Sequence, residues 1–450
     1  MNKKTIAILF IGFAFLSCKE VQKPSASITT ESLNEQAQSY LSDYDELIDT
    51  LSFYHPALNE FTSKPDFDKK VEQLRAEIDN KTTKKDFIWK VSEVFALVGC
   101  GHTSLGFFNQ QRELLKPEEY FPLLTRLIDD KLYVIDHLTN KDHVQIGQEI
   151  TQINGKSISE IMPIIYSHIN SQADIESPKR RMFNGYNTSL IPYALNSPDV
   201  FNIKIAGNSE LITLKPLVEN PPSVPLVSKN HPCQSNYCLT EINEETALLT
   251  LRSFAYYGNQ TDTVLDFLDD SFKTIHLNKY QHLIIDIRGN LGGTSVISRH
   301  LLKHTLNKPF KYFSQSDFGN TDTKVPFENN FKGNIFILMN GEGYSSVGQL
   351  ASIYKDKKRV TFIGETLGSN HFNTANQKQF ELTNTKFTYM VARNTFINDV
   401  QEKDSKAPIE PDIAIRQSID DYLSDKDVVL EKAKELTKTE ANSSSDWYKE

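Results

Sequence analysis

The chain is poor in cysteine, tryptophan and methionine, with 4, 2 and 5 of them in 450 residues. Four cysteines cannot staple a chain of this length, so its stability has to come from hydrophobic cores and not from a disulfide framework. Positive charge is in deficit: 49 Lys and Arg stand against 58 Asp and Glu, a formal net charge of −9. A surface that neutralises phosphates must be basic, so nucleic acid is excluded as a partner class. Neither Gly-x-x-x-x-Gly-Lys-Ser/Thr nor Gly-x-Gly-x-x-Gly occurs, which removes the common nucleotide-binding loops. No internal repeat is found. One long apolar run exists, at residues 5–16, and it is too short to span a bilayer comfortably.

Hydrophobic residues at 39% and charged residues at 24% describe an ordinary globular protein, and the length suggests about three domains. Lys3 and Lys4 precede the apolar run, and Ser17-Cys18 closes it. This is the layout of a secretory signal. Phe15-Leu16-Ser17-Cys18 resembles a bacterial lipobox, which makes residues 1–17 a lipoprotein signal peptide and Cys18 the lipidated first residue. Residues 18–34, rich in Ser, Thr, Lys and Glu, read as a tether. The expected location is the cell envelope, anchored by lipid to the outer membrane and facing the periplasm or the surface.

Along the mature chain, residues 35–104 carry apolar positions at helical spacing, such as Leu41, Tyr44, Leu47, Ile48 and Leu51, and read as a helical domain. Residues 105–215 read as β-rich. Two apolar runs flank Asp129-Asp130-Lys131, and Ile153-Asn154-Gly155-Lys156 suits a tight turn. The run Gly147-Gln148-Glu149-Ile150-Thr151-Gln152-Ile153-Asn154-Gly155 resembles a PDZ domain, a module that captures extended peptide at a sheet edge. Residues 216–240 form a Pro-containing linker that also holds Cys233 and Cys238, close enough to pair in an exported protein; Cys100 would then be free. Residues 241–436 alternate short apolar strands with helices, the pattern of a mostly parallel sheet covered by helices, and 437–450 is a polar tail. The fold class is therefore α/β, with a parallel-sheet core, an N-terminal helical domain and a PDZ-like β-rich domain.

Three segments could carry chemistry. Asp286-Ile287-Arg288-Gly289-Asn290-Leu291-Gly292-Gly293 follows a buried strand and precedes a helix. Its glycines let backbone N–H groups approach an anionic oxygen, as an oxyanion hole requires. Gly341-Glu342-Gly343-Tyr344-Ser345-Ser346-Val347-Gly348-Gln349 also joins a strand to a helix. A serine there presents its hydroxyl at the sheet's carboxyl edge, or else caps the helix. Val98-Gly99-Cys100-Gly101-His102-Thr103-Ser104 supplies a histidine, the usual base for a serine at neutral pH. His300 and His304 lie four apart on an expected helix, a spacing that can ligate zinc, but the Leu-Leu-Lys between them lacks the Glu of a zinc protease, so they read as helix-surface or core histidines.

Taken in order, these segments resemble the C-terminal processing (tail-specific) peptidase family and its tricorn-like branch. The resemblance includes Gly364-Glu365-Thr366-Leu367-Gly368 and Pro408-Ile409-Glu410-Pro411-Asp412-Ile413 and spans about residues 36–436. It implies a serine endopeptidase acting on peptide or protein substrates. Ser346 matches the nucleophile, with Gln349 three residues later where the family usually has Glu, and Ser345 competes. His102 matches the base of the tricorn-like branch. The N–H groups of Gly292, Gly293 and Val347 match the oxyanion hole. Asp286 and Arg288 read as structural. The Lys of the Ser/Lys branch is missing from Ser369-Asn370-His371, which leaves a Ser/His mechanism and makes His371 a second candidate base. The branch orients its histidine through a serine and a distant Glu; here Gly101 precedes His102, so the hydroxyl must come from elsewhere, and Asp399 and Glu402 are candidate carboxylates. No metal or organic cofactor is implied. The competing reading is a catalytically silent protein on the same fold that binds peptide or a hydrophobic ligand.

Overall fold

The computed structural model describes residues 32–106, 108–222 and 230–440. The expected signal peptide, Cys18 and most of the tether and polar tail lie outside these residues.

Three helices open the described chain: α1 (Glu35–Tyr54), α2 (Lys64–Ala76) and α3 (Lys84–Val98). Their starts are set by side chains. Asn34 accepts from the Ala37 N–H at 2.8 Å, Ser63 caps α2, and Thr83 with Asp86 forms a capping box on α3. Gly99 ends α3 in the left-handed region at φ 65°. The helices bury Tyr44, Leu47, Leu51, Phe87, Val91 and Phe95 in one core. That core is not made by residues 35–104 alone. Leu382, Phe387, Tyr389 and Val391, from a hairpin almost three hundred residues on, belong to it. The buried Asp43 carboxylate accepts from the N–H groups of Asn384 and Thr385 at 2.8 and 2.6 Å. An isolated hairpin is marginal in water, and the open side of the helices covers its apolar face.

The short α4 (Asn109–Glu113) leads to a second module containing β1 (Leu124–Ile128), β2 (Lys131–Asp136), β3 (Glu149–Ile153), β4 (Lys156–Ser157), α5 (Ile158–Tyr166), α6 (Glu176–Ala194), β5 (Asn202–Ile205) and β6 (Ile212–Thr213). Its antiparallel sheet runs β1-β2-β3-β5-β6, with β4 paired to β3. Asp129 and Asp130 both take positive φ, 47° and 60°, in the β1–β2 turn, as a two-residue hairpin requires. The 19-residue α6 was not expected from the sequence. It buries Asn184, Asn187, Thr188 and Ser189 among Phe183, Leu190, Ile191 and Ala194, so its buried face is mixed and not plainly apolar. Those amides serve the sheet: Asn184 accepts from Leu127 N–H at 2.7 Å, and Asn187 donates to the Thr125 carbonyl at 3.0 Å. The helix thereby covers the β1 edge.

The third module is the α/β core. It comprises β7 (Tyr237–Asn243), β8 (Thr246–Leu251), α7 (Asn259–Leu277), β9 (His282–Asp286), α8 (Ser295–Thr305), β10 (Phe310–Lys311), β11 (Phe313–Ser316), β12 (Thr323–Lys324), β13 (Asn334–Met339), α9 (Ser346–Lys357), β14 (Thr361–Gly364), β15 (Phe372–Ala375), the exported hairpin β16 (Lys378–Glu381) and β17 (Thr388–Val391), β18 (Asn394–Asn398), β19 (Ile413–Ala414), α10 (Ile419–Leu423) and α11 (Val428–Glu440). The main sheet has the order β19-β14-β13-β9-β8-β7, and every pair in it is parallel except β7 with β8. β7 starts at Tyr237, inside the stretch expected to be linker. Alternate strand residues separate two cores. Leu249, Ile285 and Ile337 face α7, α8 and α9, whereas Leu248, Ile284 and Leu338 face α11. Cys233 and Cys238 are paired in a disulfide, and Cys100 is buried and free. No helix among the described residues is long and apolar enough to cross a membrane.

Candidate active site

Strands β9 and β13 are hydrogen-bonded neighbours, with Leu338 opposite Asp286. The loops leaving their carboxyl ends, the usual place for a site in such a sheet, therefore lie side by side. After β13 the chain turns sharply into α9. Ser345 sits on that turn with φ 55° and ψ −122°, a conformation that non-glycine residues adopt only when their surroundings enforce it. The turn leaves the Ser345 side chain partly exposed. Gly292 makes this possible, because a Cβ there would come within 2.7 Å of Ser345 Cβ and 2.6 Å of the Tyr344 carbonyl oxygen.

His102 reaches the same spot from the helical module. Its segment is tied to the strand of the late hairpin: Ser104 and Met390 exchange two backbone hydrogen bonds at 3.0 and 2.8 Å, and Thr103 Oγ1 accepts from Ala392 N–H at 3.0 Å. This places His102 Nε2 at 3.1 Å from Ser345 Oγ. The resemblance had favoured Ser346. The structure buries Ser346, the first residue of α9, at 2% exposure with its hydroxyl unpartnered, and Ser298 of α8 donates to its backbone carbonyl.

The other ring nitrogen, His102 Nδ1, lies 3.2 Å from the Tyr344 hydroxyl, and that hydroxyl donates to Gln172 Oε1 at 3.5 Å. Gln172 in turn donates to the Phe372 carbonyl at 2.9 Å, which fixes the orientation of its amide. Its loop carries two residues at positive φ, Ala173 (51°) and Asp174 (62°), and is held to the helical module by Ala173 N–H on the Gly99 carbonyl. Gly101 is needed here, since a Cβ at that position would lie 2.4 Å from the Tyr344 hydroxyl oxygen. The hydroxyl missing beside His102 in the sequence thus comes from Tyr344, the residue before Ser345. Sequence reasoning missed both Tyr344 and Gln172. The one available signal was negative: a glycine beside the histidine leaves room for a large side chain from elsewhere.

Neither Asp399 nor Glu402 bonds His102. The Glu402 carboxylate accepts from the N–H groups of Lys403 and Asp404, and Asp399 N–H donates to the Tyr312 carbonyl. His371 does not join the pair either; burial lowers its imidazole, against the opposing charges of Glu402 and Asp404. Burial pushes the His102 imidazole down to about 4, against a smaller opposing effect of a hydrogen bond with the Thr374 backbone. It is therefore neutral at neutral pH, with a lone pair available. Burial also holds the Tyr344 phenol well above its ordinary range, so it stays protonated.

Of the three expected oxyanion donors, two are already engaged. Val347 N–H donates to the Tyr344 carbonyl at 3.0 Å, and Gly292 N–H donates to Asn290 Oδ1 at 2.8 Å. Both bonds are part of the turns that shape the loops. Among the described residues, no hydrogen-bond partner engages the N–H of Gly293 or of Ser346; Ser346 follows Ser345 directly, and Gly293 follows Gly292, which lies against Ser345. Beneath the loops lies a second buried polar cluster. Asp286 accepts from Arg288 at 2.7 Å and contacts His231 Nε2 at 3.0 Å, and Arg288 also reaches Asp427 at 2.7 Å. Burial opposes charge on Asp286, but the Arg288 guanidinium and His231 outweigh it and hold the carboxyl below its ordinary range.

Residues 245–415 match the model of Peptidase family S41. The matched segment contains Ser345 and the glycine loop, and His102 lies outside it. No curated protein sequence matches the chain. Among solved structures, a mutant of CPAF is similar at 12% identity over 89% of this chain and 97% of that one, with a TM-score of 0.63. Mature CPAF complexed with lactacystin is similar at 11% identity over 90% and 98%, with a TM-score of 0.61. The likeness extends over nearly all of both chains and establishes a shared α/β architecture.

Proposed function

We propose that the protein is a serine endopeptidase in which Ser345 is the nucleophile and His102 the general base. The observation that carries this reading is the 3.1 Å approach of His102 Nε2 to Ser345 Oγ, between residues 243 positions apart, beside two unengaged N–H donors. The Tyr344 hydroxyl, donating to Gln172, accepts from Nδ1–H and so leaves the Nε2 lone pair facing the serine. His102 takes the Ser345 proton as Oγ bonds to the scissile carbonyl carbon. The oxyanion is held by the N–H groups of Gly293 and Ser346. The imidazolium returns its proton to the leaving amine as the C–N bond breaks, and water resolves the acyl-enzyme with His102 again as base. Tyr344 and Gln172 are positioning residues and supply no negative charge.

The substrate class is peptide or protein. A PDZ-like role for the second module is part of the proposal, and peptide could not add at the β1 edge, which α6 occupies. Lipid attachment at Cys18 and a cell-envelope location complete the reading, on the strength of the lipobox-like sequence.

A fluorophosphonate probe with site mapping tests the assignment. Labelling is expected at Ser345. It should vanish in Ser345→Ala and persist in Ser346→Ala, which removes a buried unpartnered hydroxyl at little cost. Labelling at Ser346 would overturn the assignment. No labelling, with no peptide turned over, would favour the binding protein, a reading to which the absence of a carboxylate behind His102 lends some weight.

A further inference from the structure

Helices α7 and α8 pack against each other on one face of the main sheet, and their contact holds an arrangement that the peptidase reading does not use. His300 and His304 lie one turn apart on α8, so their side chains share a face. Asp269 faces them from α7. The Nε2 atoms of both histidines are each 2.7 Å from the same carboxylate oxygen, Asp269 Oδ1. All three ligand atoms fall within 4.8 Å of one another, and no other such trio occurs among the described residues.

We infer that Asp269, His300 and His304 form a site for a borderline divalent transition-metal ion of the Zn2+ class, bracing α7 against α8. Two imidazole nitrogens and one carboxylate oxygen are a common zinc donor set, completed by water. Without an ion, one carboxylate oxygen has to accept two imidazole N–H groups. With an ion, both ring nitrogens and the oxygen turn their lone pairs on the same point, after the small outward shift that metal–ligand bonds require. The rings are already oriented by packing. His304 stacks on Phe272 with centroids 4.3 Å apart and contacts Phe327 at 4.5 Å, and His300 lies 5.2 Å from Phe327. The two histidine side chains are 15% and 8% exposed, whereas Asp269 is 53% exposed. The site therefore opens to solvent on the carboxylate side, where an ion can enter and water can complete its shell.

The consequence is mechanical. Helix α8 starts two residues after Gly293, and Ser298 on it donates to the Ser346 carbonyl at 3.0 Å, so α8 supports both loops of the proposed catalytic site. An ion at its carboxyl-terminal half would fasten that support to α7 without touching Ser345 or His102.

The experiment uses the full chain, stripped with chelator and titrated with ZnCl2 by calorimetry, with thermal unfolding followed in parallel. Saturable binding of one ion per chain and a higher Tm are expected. Asp269→Asn and His300→Ala should each weaken binding by about tenfold or more and abolish the Tm rise. The exposed His143→Ala should change neither. Absence of saturable binding, or equal binding by His300→Ala and the unaltered protein, would overturn the site. The titration repeated on Ser345→Ala should give the same result, so the metal site and the peptidase reading stand or fall separately.

Discussion

Two buried polar clusters lie under the same sheet edge and are built on opposite principles. The Asp286–Arg288–Asp427–His231 cluster is charged and compensated: its carboxylates have a guanidinium between them at 2.7 Å. The Ser345–His102–Tyr344–Gln172 cluster is neutral, a chain of hydroxyl, imidazole, phenol and amide with no carboxylate on the histidine. A charged network with its partners in place is stable and inert. A neutral chain ending in a desolvated imidazole can accept a proton, because nothing else there claims the lone pair. The first reads as support for the glycine loop and the second as the reactive site.

The comparison can be broken most severely at the base. His102→Gln is expected to lower kcat by about 10^3 to 10^6-fold with little change in Tm, measured on any peptide that the unaltered protein cleaves. Removing a partner from the charged cluster should have the reverse signature. Asp286→Ala leaves Arg288 and His231 without their shared acceptor and should cost roughly 3–5 kcal/mol in chemical denaturation, with activity lost only as folded protein is lost.

Acid separates the clusters next. Burial lowers His55, His102 and His304 to about 4 and His168 to about 3. In the unfolded chain these groups take up protons near their ordinary value of about 6.5, so the unfolded state binds more protons between about 6.5 and 4. Stability should therefore fall as pH drops through that window, by up to roughly 3 kcal/mol per histidine. Asp286 has a lowered value instead, so its contribution is complete above about 4 and is lost only below that. A Tm profile that stayed flat from pH 7 to pH 4.5 would contradict this division. The smallest effect sharpens the contrast. Tyr344→Phe removes the phenol acceptor from Nδ1, leaving the Thr374 backbone, and should lower kcat about 10- to 100-fold with KM little changed, and the acid limb of the rate profile should move. A purely structural role for Tyr344 would leave that limb in place.

The α/β core was largely legible from sequence because its code is local. Buried strands such as residues 283–287 and 335–339 are short continuous apolar runs, and the helices after them carry a periodic stripe. The turns at Asp129-Asp130 and Asn154-Gly155 were equally local. Helix α6 was not legible, since amides and hydroxyls interrupt the apolar residues of its buried face, and the amides' partners are backbone groups of a distant strand. The sharing of a core between distant segments was not legible for a related reason: the β16–β17 hairpin packs into the core of helices some three hundred residues earlier, and no local pattern announces that.

The same divide runs through the site. The sequence by itself determined the chemical types on offer: a serine at a strand–helix turn, glycines beside it and a histidine after a helix, because each depends on its neighbours in the chain. Which serine faces the histidine, which N–H groups remain open, and what replaces the missing hydroxyl were decided by tertiary structure. A one-residue change of position around the turn reverses a side chain's direction, and an N–H is available only if the folded loop does not consume it. Tyr344 fills the space left by Gly101 because two modules meet there, a contact that has no trace in the spacing of either segment.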